Sequence, residues 1–461
     1  MSEKSRRPSI RNTRRTFLKT IGMGMTVASF DNASSAHQAQ TSNHDWEPTC
    51  NWAGFRATPG RTAAINSDGP TPYATTDWKM DLGGSMYKTE PIVVGQTVFL
   101  AVSTANDPSK SSGFVGAYDI ETGDQQWKRT DLPAPRTPVV NGEMIYFATK
   151  VPSTPDTDVG GLYALDIKTG KTEWTRTAIQ EWATPIVTQH RVYSSNETGA
   201  YALDRTTGET IWKADDVGGI VDGVGGALSY NTDTIFFSDG TALNAEDGSI
   251  KWRVATGQVT LGNHVVDDGI VYYIRTERIV GDDDRVYVKA RSVEDGTTQW
   301  SYESNTSNEW DGRLAIANGR VLLLSSNDEE AIIKALNAQT GAQVWTTQVN
   351  GTYFSDPTIA NETVYIGGRS VPDSNRWDGR AVIYAVDLLT GEQKWAYLLD
   401  SSDLETSPEN PPAAGTPIVA DGKLYTATYP SGSVLAYRYI YYSNFFVLDS
   451  CATPPDSTYR L

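Results

Sequence analysis

The chain has 461 residues, of which 39% are hydrophobic and 21% charged, and its formal net charge is −17 at pH 7. This excess of acidic residues argues against nucleic acid or an anionic lipid surface as a partner, because the phosphate groups of both repel a negative protein. With two cysteines and four histidines, the composition excludes a disulfide-rich scaffold and disfavours a zinc site.

The first 40 residues have the features of an export signal. Residues 13–19 read Thr-Arg-Arg-Thr-Phe-Leu-Lys, which fits the twin-arginine pattern. A short, weakly apolar stretch follows over residues 20–30, with small residues near Ala36 and Ala39 where cleavage can fall. This stretch is too short to span a bilayer. We therefore expect a protein without a transmembrane span, exported by the twin-arginine route to the periplasm, the cell surface or the medium; the alternative is a basic, disordered tail.

Removal of this segment makes the remaining chain more acidic, because the segment contains seven Lys and Arg residues but only two acidic residues. A strongly negative surface repels itself less when salt screens it. We therefore hypothesise that the protein is halophilic, and we expect it to lose its folded circular dichroism signal at low ionic strength.

One eleven-residue phrase occurs seven times between residues 117 and 395, and its first copy reads Ala-Tyr-Asp-Ile-Glu-Thr-Gly-Asp-Gln-Gln-Trp. Each copy is typical of a strand, a tight turn and the start of the next strand. The short polar residue after the alanine can accept hydrogen bonds from turn amides, and the glycine suits a left-handed backbone. The turn glycines are Gly123, Gly170, Gly208, Gly248, Gly296, Gly341 and Gly391, and the tryptophans are Trp127, Trp174, Trp212, Trp252, Trp300, Trp345 and Trp395.

The spacing of the tryptophans predicts an all-β, eight-bladed β-propeller. Counted from Trp78, they lie 38 to 50 residues apart, which leaves room for four short antiparallel strands per blade. An eighth unit follows Trp395, with a strand over residues 433–438, but it has no tryptophan. Conversely, Trp78 has no phrase before it. We expect the strand around Trp78 to close the last blade, within a propeller that covers residues 72–438.

Two segments flank the predicted propeller. Residues 41–71 form a lead-in segment, and residues 439–461 form a divergent C-terminal tail. The tail begins with an aromatic stretch that is too short to span a membrane. From the sequence, it adds a strand, covers the closure of the ring, or packs poorly.

The seven phrases resemble the repeats of PQQ-like, quinoprotein-type propellers. The segment that starts Trp52-Ala-Gly-Phe-Arg also resembles the lead-in segment of such proteins. The resemblance implies that the eight tryptophans, including Trp78, lock neighbouring blades together. It also implies one of two functions: a quinone-dependent dehydrogenase, or a non-enzymatic scaffold similar to the outer-membrane assembly lipoprotein.

Candidate ligand-binding residues lie just before or at the innermost strand of each blade, around the central channel. They are Glu90, Arg136, Glu181, Trp182, Asp222, Asn263, His264, Trp310, Asp311, Arg313 and Asp356. One interpretation is a funnel whose aromatic platforms and charged groups hold a flat polar ligand. The other is a solvated mouth of mixed charge in which the aromatic side chains pack against loops, with His264 either lining the channel or packing against an inner strand.

The resemblance implies PQQ with calcium as cofactor if the protein is an enzyme. Trp182, Asn263 and Asp311 are residues of the right types for a platform, a calcium ligand and a base, but none of them lies in a motif that carries the family's roles over. The pair of adjacent cysteines found in many alcohol-oxidising members is absent. We therefore favour a monomeric, non-catalytic propeller that binds a protein or peptide partner, and we assign no catalytic residue and no metal site. A PQQ- and calcium-dependent dehydrogenase is the alternative. A sugar-binding module that uses Trp182 and Trp310 is a third.

Overall fold

The computed structural model describes residues 51–456 except 108, 153–159, 179, 218–227, 255–258, 278–284, 305–313, 327–329, 373–378, 408–409 and 432–441. The chain divides into two compact units, residues 1–43 and 44–461, and all described residues belong to the second. This described part consists of 34 β-strands and contains no helix.

Eight antiparallel blades of four strands form a β-propeller, which confirms the predicted fold class. From the centre outward, blade 1 contains β3 (Ile92–Val94), β4 (Thr97–Asp107), β5 (Lys110–Asp119) and β6 (Gln125–Leu132). Blade 2 contains β7 (Val139–Asn141), β8 (Met144–Ala148), β9 (Gly160–Asp166) and β10 (Thr172–Ala178). Blade 3 contains β11 (Ile186–Val187), β12 (Arg191–Asn196), β13 (Gly199–Asp204) and β14 (Thr210–Ala214). Blade 4 contains β15 (Ser229–Asn231), β16 (Thr234–Phe236), β17 (Thr241–Asn244) and β18 (Ile250–Arg253).

The remaining four blades follow the same order. Blade 5 contains β19 (Val259–Asp267), β20 (Ile270–Glu277), β21 (Arg285–Ser292) and β22 (Thr298–Glu303). Blade 6 contains β23 (Ala315–Ala317), β24 (Arg320–Ser326), β25 (Glu330–Asn337) and β26 (Gln343–Asn350). Blade 7 contains β27 (Thr358–Ala360), β28 (Thr363–Arg369), β29 (Ala381–Asp387) and β30 (Gln393–Leu398), and β1 (Ala64–Ile65) pairs in parallel with β27. Blade 8 contains β32 (Ile418–Ala420), β33 (Lys423–Pro430), β34 (Asn444–Cys451) and β2 (Tyr73–Asp81), with β31 (Pro412–Ala414) also pairing with β33.

The predicted closure of the ring is confirmed, because the N-terminal strand β2 pairs antiparallel with β34 in the last blade. Within this pair, Trp78 lies opposite Val447. In blade 1 the equivalent pair is Trp127 opposite Ala117, and the other six phrases repeat that register. Val447 therefore takes the place of the phrase alanine in blade 8.

The structure moves the C-terminal end of the propeller from residue 438 to Cys451. The predicted strand at residues 433–438 lies outside the described residues, and the third strand of blade 8 is β34, within the segment predicted as a tail. The phrase is degenerate there, with Val447 in place of alanine and Thr453 in place of the turn glycine. The repeat pattern therefore gave no sign of this strand, and the aromatic stretch adds a strand to the propeller.

The phrase turn is held by the side chain of its short polar residue. In blade 1 the carboxylate of Asp119 accepts hydrogen bonds from the backbone N–H groups of Glu121, at 2.9 Å, and Thr122, at 3.0 Å. A hydrogen bond from at least one of these two amide positions recurs in the other six phrases, to Asp166, Asp204, Asn244, Ser292, Asn337 and Asp387. Hydrogen bonds from these two amides lower the pKa of Asp119.

Each phrase turn also receives the tryptophan of the preceding blade. The indole N–H of Trp127 donates to the carbonyl oxygen of Ile167 in the next turn, at 2.8 Å. Equivalent bonds of 2.8–3.1 Å are made by Trp78, Trp174, Trp212, Trp252, Trp300 and Trp345. Gly170, with φ of +66°, lies so close that a Cβ atom there would be 2.6 Å from Cε3 of Trp127. The glycine therefore serves both the turn and the contact between blades.

We expect Gly170→Ala to destabilise the propeller more than Gly269→Ala does. Both glycines have positive φ, but a Cβ at Gly269 meets nothing within 4 Å. The left-handed backbone should cost either variant about 1–2 kcal/mol, and only Gly170→Ala adds the collision with Trp127, about 1–3 kcal/mol more. Midpoints of urea unfolding measure the difference, and equal midpoints would contradict the role of the contact.

Candidate functional site

The central channel is occupied by residues 52–65, which we call the plug. Six innermost strands each donate a backbone N–H to a plug carbonyl oxygen, over N···O distances of 2.7–3.0 Å. The pairs are Val93 with Trp52, Val140 with Ala53, Tyr230 with Pro59, Val266 with Gly60, Ile316 with Thr62 and Ile359 with Ala63. These donors belong to blades 1, 2, 4, 5, 6 and 7, so the lead-in segment binds the inside of the ring on almost every side.

The buried guanidinium group of Arg61 extends the plug to blade 3. Its Nε donates to the carbonyl oxygen of Leu228 at 2.8 Å, and its Nη2 donates to that of Pro185 at 3.2 Å. A third bond, from Nη1 to the carbonyl oxygen of Phe55 at 2.8 Å, ties the guanidinium back to the plug. The rigid fork of an arginine can reach several carbonyl groups at once, which the ammonium of a lysine cannot do in this geometry.

Glu90 anchors the plug and does not face an open funnel. It is 2% exposed. Its Oε2 accepts a hydrogen bond from the backbone N–H of Arg56 at 2.8 Å and another from the indole of Trp52 at 3.3 Å. The carboxylate that the sequence placed among the ligand-binding candidates is therefore engaged by the chain itself.

The backbone of the plug is strained, and one small cavity lies beside it. Arg56, Ala57, Arg61 and Ala63 have φ between +54° and +66°, a conformation that costs about 1–2 kcal/mol for each residue other than glycine. One cavity, between the plug and the innermost strands of blades 2 and 3, has a volume of about 20 Å³. Such a cavity holds roughly one water molecule.

We use the term mouth for the face of the propeller where the chain enters each innermost strand. Arg136 and Glu181, two predicted candidates, meet there in an ion pair between blades 2 and 3. Beside them, Lys150 follows β8 in blade 2. Burial, together with the positive charges of Arg136 and Lys88, lowers the pKa of Lys150 to about 8, against the opposite effect of Glu181. The mouth thus contains several cationic groups close together, although the protein as a whole is acidic.

Trp182 is not the exposed platform that the first interpretation required. It is 3% exposed, and its ring centroid lies 4.9 Å from that of Tyr201. Its side chain is therefore buried against Tyr201, which agrees with the second interpretation, in which the aromatic side chains pack against the protein. The predicted residues Asp222, Trp310, Asp311 and Arg313 lie outside the described residues, as does the side chain of Asn263.

His264 packs against an inner strand and does not line an open channel. It is 4% exposed, its Nε2 donates to the carbonyl oxygen of Phe236 at 3.1 Å, and its ring stacks on Tyr273. Burial lowers the pKa of His264 to about 4, and the nearby charge of Arg61 adds to the effect, although the bond to Phe236 opposes it.

We expect His264 to make the protein less stable as the pH falls from 6.5 towards 4. In that window the unfolded chain takes up a proton on the imidazole, whereas the buried imidazole stays neutral, so protons favour the unfolded state. The full effect is roughly 3 kcal/mol. His264→Gln, whose amide can still donate to the Phe236 carbonyl, should lose less stability than the wild type between about pH 7 and pH 4.5 in urea unfolding. Parallel losses in both proteins would contradict the assignment.

An aromatic cluster that the sequence did not reveal lies at the mouth between blades 7, 8 and 1. The rings of Tyr87 and Tyr429 meet edge-on with centroids 5.1 Å apart, and the Tyr429 hydroxyl donates to the carbonyl oxygen of Tyr353 at 3.1 Å. The guanidinium carbon of Arg369 lies 4.8 Å from the centroid of the Tyr353 ring. Burial and the neighbouring Tyr87, followed by the predicted candidate Asp356, raise the pKa of Tyr429. Tyr87 and Tyr353 each lie three residues before a predicted candidate, Glu90 and Asp356. Had the candidates included the three residues before each of these positions, both tyrosines would have been among them.

Two further findings bear on metals and membranes. Among the described residues, no group of three or more His, Cys, Asp or Glu side chains is placed to hold a metal ion. Within the same residues, no helix is long and apolar enough to cross a membrane.

Several solved structures share this fold at low sequence identity. BamB from Moraxella catarrhalis is 15% identical with a TM-score of 0.54, over 83% of this chain and 99% of that chain. A europium-containing methanol dehydrogenase is 15% identical with a TM-score of 0.60, over 88% of this chain and 99% of that chain. Quinohemoprotein alcohol dehydrogenase from Comamonas testosteroni is 14% identical with a TM-score of 0.57, over 89% and 82% of the two chains. At these identities the likeness establishes the fold alone.

The family assignment comes from the sequence. No curated protein matches the chain. A family model described as outer membrane protein assembly factor BamB matches four overlapping segments, residues 25–199, 111–240, 196–309 and 284–441. These segments cover well over half of the 461 residues and confirm the resemblance to PQQ-like propellers. The chain therefore belongs to the family described as outer membrane protein assembly factor BamB.

Proposed function

We propose that this protein is an exported, monomeric propeller that binds a protein or peptide partner at its mouth and catalyses no reaction. The observation that carries the proposal is the plug. Because residues 52–65 bind the inside of the ring, a ligand meets the side chains around the mouth instead of entering a deep channel. Membership of a family described as an assembly factor also supports a binding role.

PQQ with calcium is the competing function, since quinoproteins share the fold. Such a cofactor would need an open platform and several oxygen ligands directed at one point. Trp182 is 3% exposed beneath Tyr201, and the Glu90 carboxylate is engaged by the plug. Both observations favour a role without this cofactor, and we derive no reaction step through it.

The export signal supports a function outside the cytoplasmic membrane. The arginine pair Arg14 and Arg15 is the feature that the twin-arginine route reads. Replacing both with lysine should leave uncleaved precursor inside the cell. Normal export of that variant would contradict the proposed route.

The two functions are separated by adding PQQ and calcium, or a lanthanide ion, to purified protein that starts at residue 41. We expect no stoichiometric quinone absorbance after dialysis and no dye reduction with alcohols or sugars. Quinone binding at one per chain together with substrate-dependent dye reduction would overturn the proposal. Light scattering on the same sample should give the mass of one chain.

Site-specific crosslinking in the producing cell tests the partner-binding face. A photoreactive residue in place of Tyr87, 47% exposed at the mouth, should give a defined crosslinked protein. The matched control is Leu389, which is 43% exposed in the phrase turn of blade 7 on the opposite face. Crosslinks from Leu389 but none from Tyr87 would place the partner elsewhere and contradict the proposal.

A further inference from the structure

The two most exposed aromatic side chains of the described residues lie at the mouth. Among the large apolar side chains described as exposed, the aromatic ones are Tyr87, 47% exposed, and Tyr353, 39% exposed. The aliphatic ones lie on outer strands and in one phrase turn: Ile211, Ile250, Val344 and Leu389. The Tyr87 ring packs edge-on against that of Tyr429, whose hydroxyl donates to the backbone carbonyl oxygen of Tyr353, so both exposed tyrosines contact Tyr429 at the mouth. Exposed aromatic patches of this kind mark binding surfaces.

The backbone beside this patch is strained. Outside the plug, eight described residues other than glycine have positive φ. Five of them are Asp or Asn, which tolerate this conformation, and a sixth, Thr232, lies in the hairpin turn between β15 and β16. The other two are Lys88, with φ of +60°, and Tyr353, with φ of +53°. Strain of this kind persists where the surrounding structure imposes it, and it is concentrated at ligand-binding sites. The two strained residues therefore single out the same patch as the exposed rings do.

Cationic groups continue the patch around the mouth. Nζ of Lys88 lies 5.4 Å from the centroid of the Tyr87 ring, and Lys88 is near enough to Lys150 to lower its pKa. The positive charge of Arg136 also lowers the pKa of Lys150, whereas Glu181, which pairs with Arg136, raises it. Three positive groups, Lys88, Arg136 and Lys150, thus lie near one carboxylate, that of Glu181, and make this part of the mouth positive in a chain with a net charge of −17. Asp356 lies at the other end of the patch, near Tyr429.

We infer that the mouth binds an extended, acidic segment of the protein partner, with an apolar or aromatic side chain against Tyr87 and Tyr353 and carboxylates towards Lys88 and Lys150. This inference rests on the proposed partner-binding function and adds the chemistry of the partner. An extended segment suits a surface that runs from blade 7 through blades 8 and 1 to blade 2 beside a filled channel. The acidic character follows from charge complementarity, which steers and selects partners at such surfaces.

The experiment uses the full chain from residue 41 and fluorescein-labelled peptides in polarisation assays. One peptide alternates glutamate with tyrosine and proline, a second replaces each glutamate with glutamine, and a third replaces each glutamate with lysine. We expect the acidic peptide to bind at least about ten-fold more tightly than the glutamine peptide, and added salt to weaken it because salt screens exposed charges.

Variants then locate the site. Asparagine tolerates the left-handed backbone at position 88, and methionine has nearly the volume of lysine at position 150, so the variants Lys88→Asn and Lys150→Met should both fold. Each should weaken the acidic peptide about five-fold, the effect of one partly exposed charge pair. Tyr87→Ser should weaken the acidic and glutamine peptides alike. The matched control, Lys168→Gln, removes a 75% exposed lysine of a phrase turn on the opposite face and should change nothing.

The pH dependence gives a readout that a change in folding would not produce. Since the pKa of Lys150 is about 8, its positive charge is lost between about pH 7 and pH 9. The affinity of the wild type for the acidic peptide should fall over that range. In Lys150→Met the affinity should be lower throughout and nearly independent of pH.

The possible outcomes separate this inference from the proposed function. Equal binding of the acidic and glutamine peptides, tighter binding of the lysine peptide, or an equal effect of Lys168→Gln would overturn the acidic partner, while partner binding at the mouth would stand. Failure of all three peptides to bind would also overturn it. If PQQ bound instead and supported dye reduction, the proposed function itself would fail.

Discussion

Truncation of the chain after residue 438 is expected to abolish folding of the propeller. The deletion removes β34, which lies between β33 and β2 in blade 8 and pairs with both. Without it, β2 has no partner strand, the ring opens within blade 8 between β33 and β2, and two sheet edges are left unpaired. A truncated chain should therefore accumulate as insoluble protein without the near-ultraviolet circular dichroism of packed tryptophans.

The size of this effect follows from what β34 buries. Phe445, Phe446, Val447 and Leu448 are each 0% exposed, and the Phe445 ring lies 5.5 Å from that of Trp78. Burying one such side chain contributes about 1.5–3 kcal/mol, so four contribute about 6–12 kcal/mol. That sum is comparable to the whole stability of a typical folded protein, about 5–15 kcal/mol.

The matched control is a truncation after residue 454, which keeps β34 and removes only the end of the chain. It should retain the solubility and the melting temperature of the full protein. If the truncation at 438 melted like the wild type, β34 would not close the ring.

The phrase predicted the blades because each of its residues acts over a short distance. Asp119 binds amides two and three residues ahead, Gly123 supplies a left-handed turn, and Trp127 occupies the next strand. Such local rules can be read directly from a sequence. Seven copies in register and the eighth unit after Trp395 then give the number of blades, and the ring closure follows from Trp78, which keeps the tryptophan spacing but has no phrase before it.

The plug could not be predicted in the same way. Residues 52–65 have no repeat and no alternation, and their backbone is satisfied by strands as far away as Ile359. Glu90 was identified as a polar residue near the channel, but its partners, Trp52 and the Arg56 backbone, come from a segment that the sequence analysis treated only as a lead-in. Long-range pairing of this kind leaves no periodic signal.

The sequence predicted several residues of the mouth, but it did not show which aromatic side chains are exposed there. The position before each innermost strand did lead to Arg136 and Glu181, which form an ion pair. The same rule selected Trp182, which one interpretation made an exposed platform, yet among the described residues the most exposed aromatic side chains are those of Tyr87 and Tyr353. Whether a large aromatic side chain is buried or exposed depends on contacts with neighbouring blades. The sequence of a single strand does not reveal those contacts.

Arg61→Met is expected to destabilise the protein by about 3–6 kcal/mol. Methionine matches much of the side-chain volume but donates no hydrogen bond, so the carbonyl oxygens of Leu228, Phe55 and Pro185 lose a donor in a buried site. Each buried polar group left unsatisfied costs about 1–3 kcal/mol. Arg61→Lys should be nearly as harmful, because an ammonium cannot span the three acceptors.

The control is Arg176→Met, which removes a guanidinium that also bonds a carbonyl oxygen, that of Gly208 at 3.3 Å, but at a part-buried site on the rim. Water can replace that donor, so the loss should stay below about 1 kcal/mol. Urea unfolding measures both variants. Hydrogen exchange then distinguishes a loosened plug from general destabilisation. The amides of Tyr230 and Val266 donate to plug carbonyl oxygens, so in Arg61→Met they should exchange faster than the strand amides of β29. Equal acceleration at all of these sites would mean that the arginine supports the ring as a whole and does not hold the plug in the channel.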